Sequence, residues 1–246
     1  MTKYRDMNAK LFAQDIFVES SIQKAPLGAR WNFNDGRSFV YCKNAAVALA
    51  VGTLLQAAAP QANHLNKTIS GAHAIGATAI TVNIVTTAVT ANEYREGFIH
   101  INDAAGEGYS YKILQHPAAS AAATCAIKIY DSVEVALVDT TSEYSLTKHP
   151  NGDVIVYPAT AATSIPIGVA NRVVTASYYF WAQVRGVCAV LAGGTLVIGN
   201  DVIPDVTVPG AVIPGGTTDI VGAIGRVLRA NANTEYALVN LAIPGY

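Results

Sequence analysis

The sequence predicts an all-β protein with sandwich-like or barrel-like hairpins, an N-terminal arm and little helix. Three observations support this fold class. Alternating runs rich in Val, Ile and Thr recur along the chain, and such residues favour pleated strands. Turn signals separate these runs about every ten residues, a spacing typical of sandwiches and barrels. Proline bounds the alanine runs at 57–59 and 118–123, so we expect a short helix there at most.

The individual strands are predicted from residue 31 onward. The stretch WNFNDGRSFVY places Asp35 and Gly36 between two aromatic runs, and Asp-Gly is the strongest short-range signal of a hairpin. A second turn is expected at Asp103–Gly108, between two alternating runs. The later strands share an alternation of apolar and polar residues, and they are expected within 77–91, 97–114, 126–137, 149–158 and 224–243.

Two similar phrases suggest a repeated unit. LAVGTLLQA at 49–57 resembles LAGGTLVIG at 191–199, and each follows an aromatic residue and a basic residue at matching positions. We interpret the unit as a β-hairpin used twice, at 36–57 and at 178–199. In the second copy Gly193 and Gly194 would supply the positive φ angles that a tight turn requires.

Composition changes suggest three regions. Residues 1–35 form an N-terminal arm that packs against something outside its own core, with a short helix or a disordered tail as the alternative. Residues 36–150 form a β domain, within which 71–149 could be a second layer or an inserted domain. Residues 151–246 form a further β domain that carries a Pro- and Gly-rich loop at 201–219.

The low charge content is the most informative bulk property. Only 13% of the residues are charged, whereas about 25% is usual, so we expect an assembly to cover much of the surface. A neutral surface rich in Thr, Asn and Ser is the alternative. The net charge of −1 provides no general attraction for nucleic acid or anionic membranes. The three cysteines lie in apolar runs and are expected to be buried thiols of a protein made in a reducing cytoplasm.

No motif predicts an enzyme. The chain has no phosphate-binding loop and no nucleophile elbow, and its cysteines and histidines lack metal-ligand spacing. The acidic pairs Asp103/Glu107 and Asp139/Glu143 lie where turns are expected, and acidic residues are common there. They would point to a polysaccharide hydrolase only if they met another acid in a groove. We therefore predict no catalytic residue, no cofactor and no metal.

A series of phrases in order resembles a known type of protein. ANEYREGFIHINDAAGEGYSYKILQHPAA, VEVALVDTTSEYSL and WAQVRGVCAVLAGGTLVIG resemble structural proteins of tailed-phage virions, in particular the cement or head-decoration proteins of the capsid. The resemblance covers roughly residues 36–243. It implies a β-rich fold, trimers at capsid three-fold positions and no enzymatic activity.

The predicted function is therefore to bind the outside of a phage capsid and reinforce it. The expected partners are the major capsid protein and further copies of the chain in a homotrimer, with no nucleic acid and no membrane. The protein would be synthesised in the host cytoplasm and located on the capsid surface of the virion. A receptor-binding component of a tail fibre or tailspike is the alternative. The candidate interface residues are Tyr4, Phe12, Phe17, Pro204, Pro209 and Pro214.

Overall fold

The chain folds as β structure throughout the residues that its computed structural model describes, which are 14–216 and 222–246. The first strands are β1 (Arg30–Asn32), β2 (Ser38–Lys43) and β3 (Leu54–Gln56). After a 3-10 turn at Ala62–His64 come β4 (Lys67–Thr68), β5 (Ala79–Ile84), β6 (Phe98–Asp103), β7 (Ser110–Gln115), β8 (Ala123–Ile129) and β9 (Glu143–Thr147). The last strands are β10 (Ile155–Val156), β11 (Pro166–Ala170), β12 (Tyr179–Leu191), β13 (Asp201–Pro204), β14 (Val212–Pro214), β15 (Gly225–Arg229) and β16 (Tyr236–Ala242).

These elements confirm the all-β fold class with little helix. The described ranges contain no α-helix, and the alanine runs at 57–59 and 118–123 are not helical. The hairpins predicted at Asp35-Gly36, at Asp103–Gly108 and within 224–243 are present as β1–β2, β6–β7 and β15–β16. In the described part of the chain no helix reaches the length and hydropathy needed to span a bilayer.

The chain divides into two compact units. Unit 1 comprises the residues up to Ala58 together with Pro150–Tyr246, and unit 2 is the intervening segment Ala59–His149. The division predicted from sequence shares the limit near 150 but places 36–58 with the segment that follows it. In the structure β2 pairs with β12 and β3 pairs with β10 and β11, and this long-range pairing joins 36–58 to the C-terminal part.

Unit 1 is built on one ten-stranded sheet. Its main order is β10-β3-β11-β12-β16-β15-β13-β14, while β2 pairs with β12 and with β1. Strand β12 has thirteen residues and pairs with β2, β11 and β16. Aliphatic clusters along the sheet and an aromatic cluster at the β1–β2–β12 end form the core.

The prediction that one hairpin is used twice, at 36–57 and at 178–199, is wrong. Strand β2 does not pair with β3, and β12 does not pair with β13. The two copies instead pair with each other, so that Trp181 lies opposite Tyr41. Gly193 and Gly194 are not among the residues with positive φ. A side chain at 193 would overlap the buried carboxylate of Asp205, so this glycine permits a close approach and not a reversal.

Unit 2 has its own sheet and core. The strand order is β4-β9-β6-β7-β8-β5, and a bridge between Ile69 and Val82 links the two end strands into a nearly closed barrel. The inward positions of these strands form one cluster that includes Ile80, Ile99 and Tyr144.

All three cysteines of the chain are buried free thiols, and burial raises the pKa of Cys42 and of Cys188 to about 12.

We predict that residues 59–149 fold without unit 1. The first and last strands of unit 2, β4 and β9, are paired neighbours, so the two ends of the excised segment lie together. The isolated segment should show β-type circular dichroism and one cooperative urea transition. A gradual loss of signal without a transition would contradict an independent core.

Candidate interaction surfaces

Residues 14–25 form a strap that covers the aromatic end of unit 1. Ile16 and Ala25 are buried in the cluster formed with Trp31, Phe39, Tyr41 and Trp181. The rings of Trp31 and Tyr41 each meet Trp181 edge-on, at centroid distances of 5.4 Å and 5.0 Å. Such aromatic pairs add to the free energy gained by burial alone. The strap therefore completes a core of its own unit.

Gln14 joins the strap to this cluster through hydrogen bonds. The Tyr41 hydroxyl donates to Oε1 of Gln14 at 2.9 Å, and Nε2 of Gln14 donates to the Tyr179 carbonyl at 2.9 Å. The indole of Trp181 donates to the Gln14 carbonyl at 3.1 Å. Ser20 and Tyr179 exchange backbone hydrogen bonds at 2.8 and 3.0 Å. The strap thus continues the sheet pairing beside β12.

For residues 14–35, these contacts correct the interpretation of residues 1–35 as an arm that packs outside its own core. Residues 14–25 cover the aromatic cluster, and residues 30–32 are strand β1 of the main sheet. The apolar residues of this region are needed to exclude water from Tyr41 and Trp181. Residues 1–13 lie outside the described residues, and Tyr4 and Phe12 are among them.

The outward side of the strap is tied to the turn that follows β11. Arg172 forms an ion pair with Glu19 at 3.3 Å and donates to the Phe17 carbonyl. Asn171 donates to the Ile16 carbonyl at 2.8 Å. The carboxylate of Glu19 accepts hydrogen bonds from the backbone and hydroxyl of Thr175, at 2.7 and 3.0 Å. The strap and the turn are therefore held in one fixed arrangement.

Four exposed apolar side chains lie on this arrangement, and we call them the strap surface: Phe17, Val18, Val47 and Val173. Phe17 is 56% exposed, Val173 60% and Val47 73%. Asn44 connects the loop of Val47 to the turn of Val173, since its amide donates to the carbonyls of Val47 and Thr175. Apolar groups that are clustered and exposed on fixed backbone are typical of protein–protein contact sites.

The other candidate interface residues lie elsewhere in unit 1. Pro204 is buried on β13, Pro209 is exposed, and Pro214 is half-buried at the end of β14. Strands β13 and β14 pair to form a hairpin, whose tip at Gly210 hydrogen-bonds with Leu54 and Tyr157. Much of the described part of the loop at 201–219 is therefore attached to its own unit.

A second exposed apolar area, which the sequence reasoning missed, lies on β12, β15 and β16. Val187, Leu228 and Tyr236 are exposed on these strands. A signal was present in the phrase RGVCAVL, because apolar residues occupy both faces of that strand. A strand with one polar face would alternate with charged or hydroxyl residues instead.

The acidic pairs of unit 2 are surface residues. Asp103, Glu107 and Asp139 are exposed and Glu143 is half-buried. Asp103 lies opposite Glu143 across β6 and β9, and Asp139 accepts a hydrogen bond from the Gly71 backbone at 2.7 Å. Among the described residues, no three His, Cys, Asp or Glu side chains are grouped to hold a metal ion.

Two buried histidines of unit 2 have structural partners. His64 contacts the Tyr94 hydroxyl through Nδ1 at 2.6 Å and the Thr87 carbonyl through Nε2 at 2.8 Å. His116 accepts from the Tyr94 backbone through Nε2 at 3.0 Å, and its Nδ1 lies 2.8 Å from the Pro117 carbonyl. The carbonyl contacts require a proton on Nε2 of His64 and on Nδ1 of His116. Because Nε2 of His116 accepts while its Nδ1 donates, that ring is neutral, and both rings hold the loops around Tyr94.

We predict that Gln14→Ala destabilises unit 1 by about 2–3 kcal/mol. The change removes the acceptor of the buried Tyr41 hydroxyl together with two backbone contacts of the strap. Both tryptophans of the chain, Trp31 and Trp181, lie in the cluster, so tryptophan fluorescence during urea unfolding follows unit 1. Ser21→Ala, at an exposed position of the same strap, is the control and should change the midpoint little. Equal midpoints for the two variants would show that the strap does not stabilise the cluster.

We predict that unit 2 loses stability between pH 7 and pH 5. Burial lowers the pKa of His149 to about 4 and also lowers the pKa of His116. Both histidines have a lower pKa in the folded state than the value of about 6.5 in the unfolded state. The folded state therefore favours the neutral rings, and their full contribution to stability is present above about pH 6.5. It is lost as the pH falls toward the folded pKa values, by about 1–2 kcal/mol at pH 5.

The measurement is urea unfolding of the full-length chain at both pH values, in which circular dichroism follows both units and tryptophan fluorescence follows unit 1 alone. His149→Phe keeps an aromatic ring beside Phe98, with which His149 stacks at 6.4 Å. It should reduce the difference between the two pH values. An unchanged difference in this variant would show that His149 is not responsible.

Comparison with known proteins gives one structural match. No protein-family model matches the chain, and no curated protein matches it. Among solved structures, the chain is similar to the N base of head fiber gp8.5 of bacteriophage phi29, with 11% sequence identity and a TM-score of 0.27. The match covers 67% of this chain and 92% of that chain.

Proposed function

We propose that the chain is a non-enzymatic structural protein of a tailed-phage virion that binds the outside of the capsid and reinforces it. The observation that carries the proposal is the strap surface, where Phe17, Val47 and Val173 are exposed on backbone held by Arg172 and Asn44. A surface that is already ordered loses little conformational entropy when a partner covers it. This property suits permanent attachment to a larger particle.

The scarcity of charge supports the same role. A freely dissolved protein relies on surface charge to avoid association, and this chain has only 13% charged residues. Besides the strap surface, exposed large apolar residues occur in the loops of unit 1, among them Val51, Ile165, Ile198 and Val206. An assembly that covers part of this area would remove the cost of exposing it to water.

The order of phrases that resembles cement or head-decoration proteins adds a separate line of support. The resemblance covers roughly 36–243, which includes every strand from β2 to β16. The phi29 structure is named as the base of a head fiber, but its likeness to this chain is too low to support the proposal. The assignment to a phage capsid therefore depends on the sequence resemblance together with the exposed surfaces.

Reinforcement would arise from added interface area. Capsid subunits experience an outward force from packaged DNA, and a protein that spans a seam between them must be detached before the seam can open. A standard interface buries about 1,600 Å², and attachment at several points multiplies modest affinities. A homotrimer would provide three equivalent attachments. We propose this oligomeric state, with the major capsid protein as the partner and the capsid surface as the location.

We predict a high and regular copy number in purified particles. Quantitative mass spectrometry should find this chain in a simple ratio to the major capsid protein, because equivalent seams repeat over the shell. A few copies per particle would instead indicate a tail position and the receptor-binding alternative. Complete absence from the particle would contradict a virion role.

We predict that the strap surface and the preceding residues contribute to attachment. The assay is binding to heads assembled without this chain. Deletion of residues 1–13, which removes Tyr4 and Phe12, should weaken this binding. The separate replacement Phe17→Ser, which removes an exposed aromatic anchor, should weaken it roughly tenfold. Residues 14–24 must be kept, because they cover the core of unit 1. Ile75→Ser, at an exposed position of unit 2, is the control. Binding equal to the control would exclude these residues from the contact.

A further inference from the structure

The outward side of β12, β15 and β16 forms a second apolar surface, which we call the sheet face. The strand register places its residues side by side, since Ala189 lies opposite Leu238 and Leu191 lies opposite Tyr236. A register shift between Val227 and Arg229 places Arg229 opposite Leu238 and leaves Leu228 as the extra residue between the two pairs. Val187, Leu228 and Tyr236 are 45%, 54% and 45% exposed. The sheet face therefore consists of Val187, Ala189, Leu191, Leu228, Tyr236 and Leu238.

The opposite side of the same strands already packs on a core. Cys188, Val190, Val227, Ala237 and Val239 are buried in one cluster. An antiparallel sheet of this kind normally presents polar residues on its second side. Here the second side also carries apolar residues, interrupted by Asn240 opposite Val187 and by the arginines of β12 and β15.

The ring of Tyr236 extends the sheet face toward the turn that precedes β3. Gly52 has a φ of +73°, and a Cβ at this position would overlap the Tyr236 ring. The ring therefore approaches the glycine backbone more closely than any side chain at position 52 would allow. The backbone of Leu191 donates to the Gly52 carbonyl at 2.9 Å, which fixes this turn beside β12. Val51, 42% exposed, continues the apolar area on the same turn.

The charged residues within the three strands all have one sign, and Glu235, which directly precedes β16, has its carboxylate bonded to the Ala232 backbone. The strands β12, β15 and β16 contain three arginines, Arg185, Arg226 and Arg229, and no carboxylate. Arg226 is paired with Asp201 of β13 at 2.7 Å. Over the described residues, Arg185 and Arg229 form no ion pair. This is notable in a chain with a net charge of −1.

We propose that the sheet face docks on an apolar surface of a different protein that carries carboxylates around its rim. Two copies of the sheet face placed against each other would bring arginines near arginines, and like charges across an interface cost several kcal/mol. A partner with carboxylates at the rim would pair with Arg185 and Arg229. This inference rests on the proposed function, under which the partner is the outer surface of the capsid shell.

Salt dependence distinguishes this contact from the strap surface. Attraction between arginines and carboxylates at a rim is screened by salt, whereas the strap surface depends on apolar burial. Binding through the sheet face should therefore weaken as the ionic strength rises. Reversal of one arginine should reduce this dependence.

The experiment measures binding of the full-length chain to purified heads assembled without it, at low and at high salt. Leu228→Ser and Arg229→Glu test the two parts of the sheet face, and both positions are exposed. Val85→Ser and Lys128→Glu are the matched controls at exposed positions of unit 2. Sedimentation of each free variant reports its oligomeric state, and tryptophan fluorescence checks that unit 1 remains folded.

We expect Leu228→Ser to weaken binding to heads roughly tenfold. Arg229→Glu should weaken binding at least as much at low salt, and it should weaken binding less at high salt. If the wild-type chain binds heads and the two variants bind as tightly as their controls, the inference is overturned and the proposed function remains in place. Failure of the wild-type chain to bind heads would overturn both. A change in oligomeric state with unchanged binding to heads would identify a second copy as the occupant and also overturn the inference.

Discussion

Unit 1 depends on the pairing of the long strand β12. At its Tyr179 end β12 pairs with β2 and β11, and at its Leu191 end it pairs with β16. The strap adds a backbone exchange at Tyr179 and a hydrogen bond from the Trp181 indole. Because β12 also contributes three residues to the sheet face, both candidate surfaces are positioned by one element. A disturbance of β12 would therefore affect both surfaces, and binding defects in its variants need a check of folding.

The hairpins could be predicted because their signals are local. Asp35-Gly36 between aromatic runs and the polar turn before Tyr236 each specify a reversal within a few residues. The pairing of β2 with β12 could not be predicted in this way, because well over a hundred residues separate the strands. The similarity between 49–57 and 191–199 was attributed to a repeated hairpin, yet the strands that precede the two phrases pair with each other, with Tyr41 opposite Trp181. Neighbouring strands share an environment, which is sufficient to favour similar residues.

Phe17 illustrates how far a candidate surface can be predicted from sequence. An aromatic residue within a charged segment suggested an anchor, and Phe17 is indeed exposed. The nearby Ile16 has a similar apolar character but is buried in the aromatic cluster. Sequence alone did not separate the two, because their exposure is decided by Gln14, Asn171 and the cluster beneath them. Val47 and Val173 were missed for the same reason, since their loops are joined only through Asn44, which donates to the Val47 carbonyl and to the distant Thr175 carbonyl.

The two units use their polar side chains in different ways. In unit 2, His64 and His116 satisfy loop groups around Tyr94, so these side chains stabilise the unit from within. In unit 1, Asn44 and Arg172 hold loops that present exposed valine and phenylalanine. In an isolated chain, hydrogen bonds that order an apolar surface keep that surface exposed to water, which is unfavourable. They become useful when a partner covers it, because the ordering entropy has already been lost. Under the proposed function, unit 1 is therefore the part of the chain expected to form the attachment.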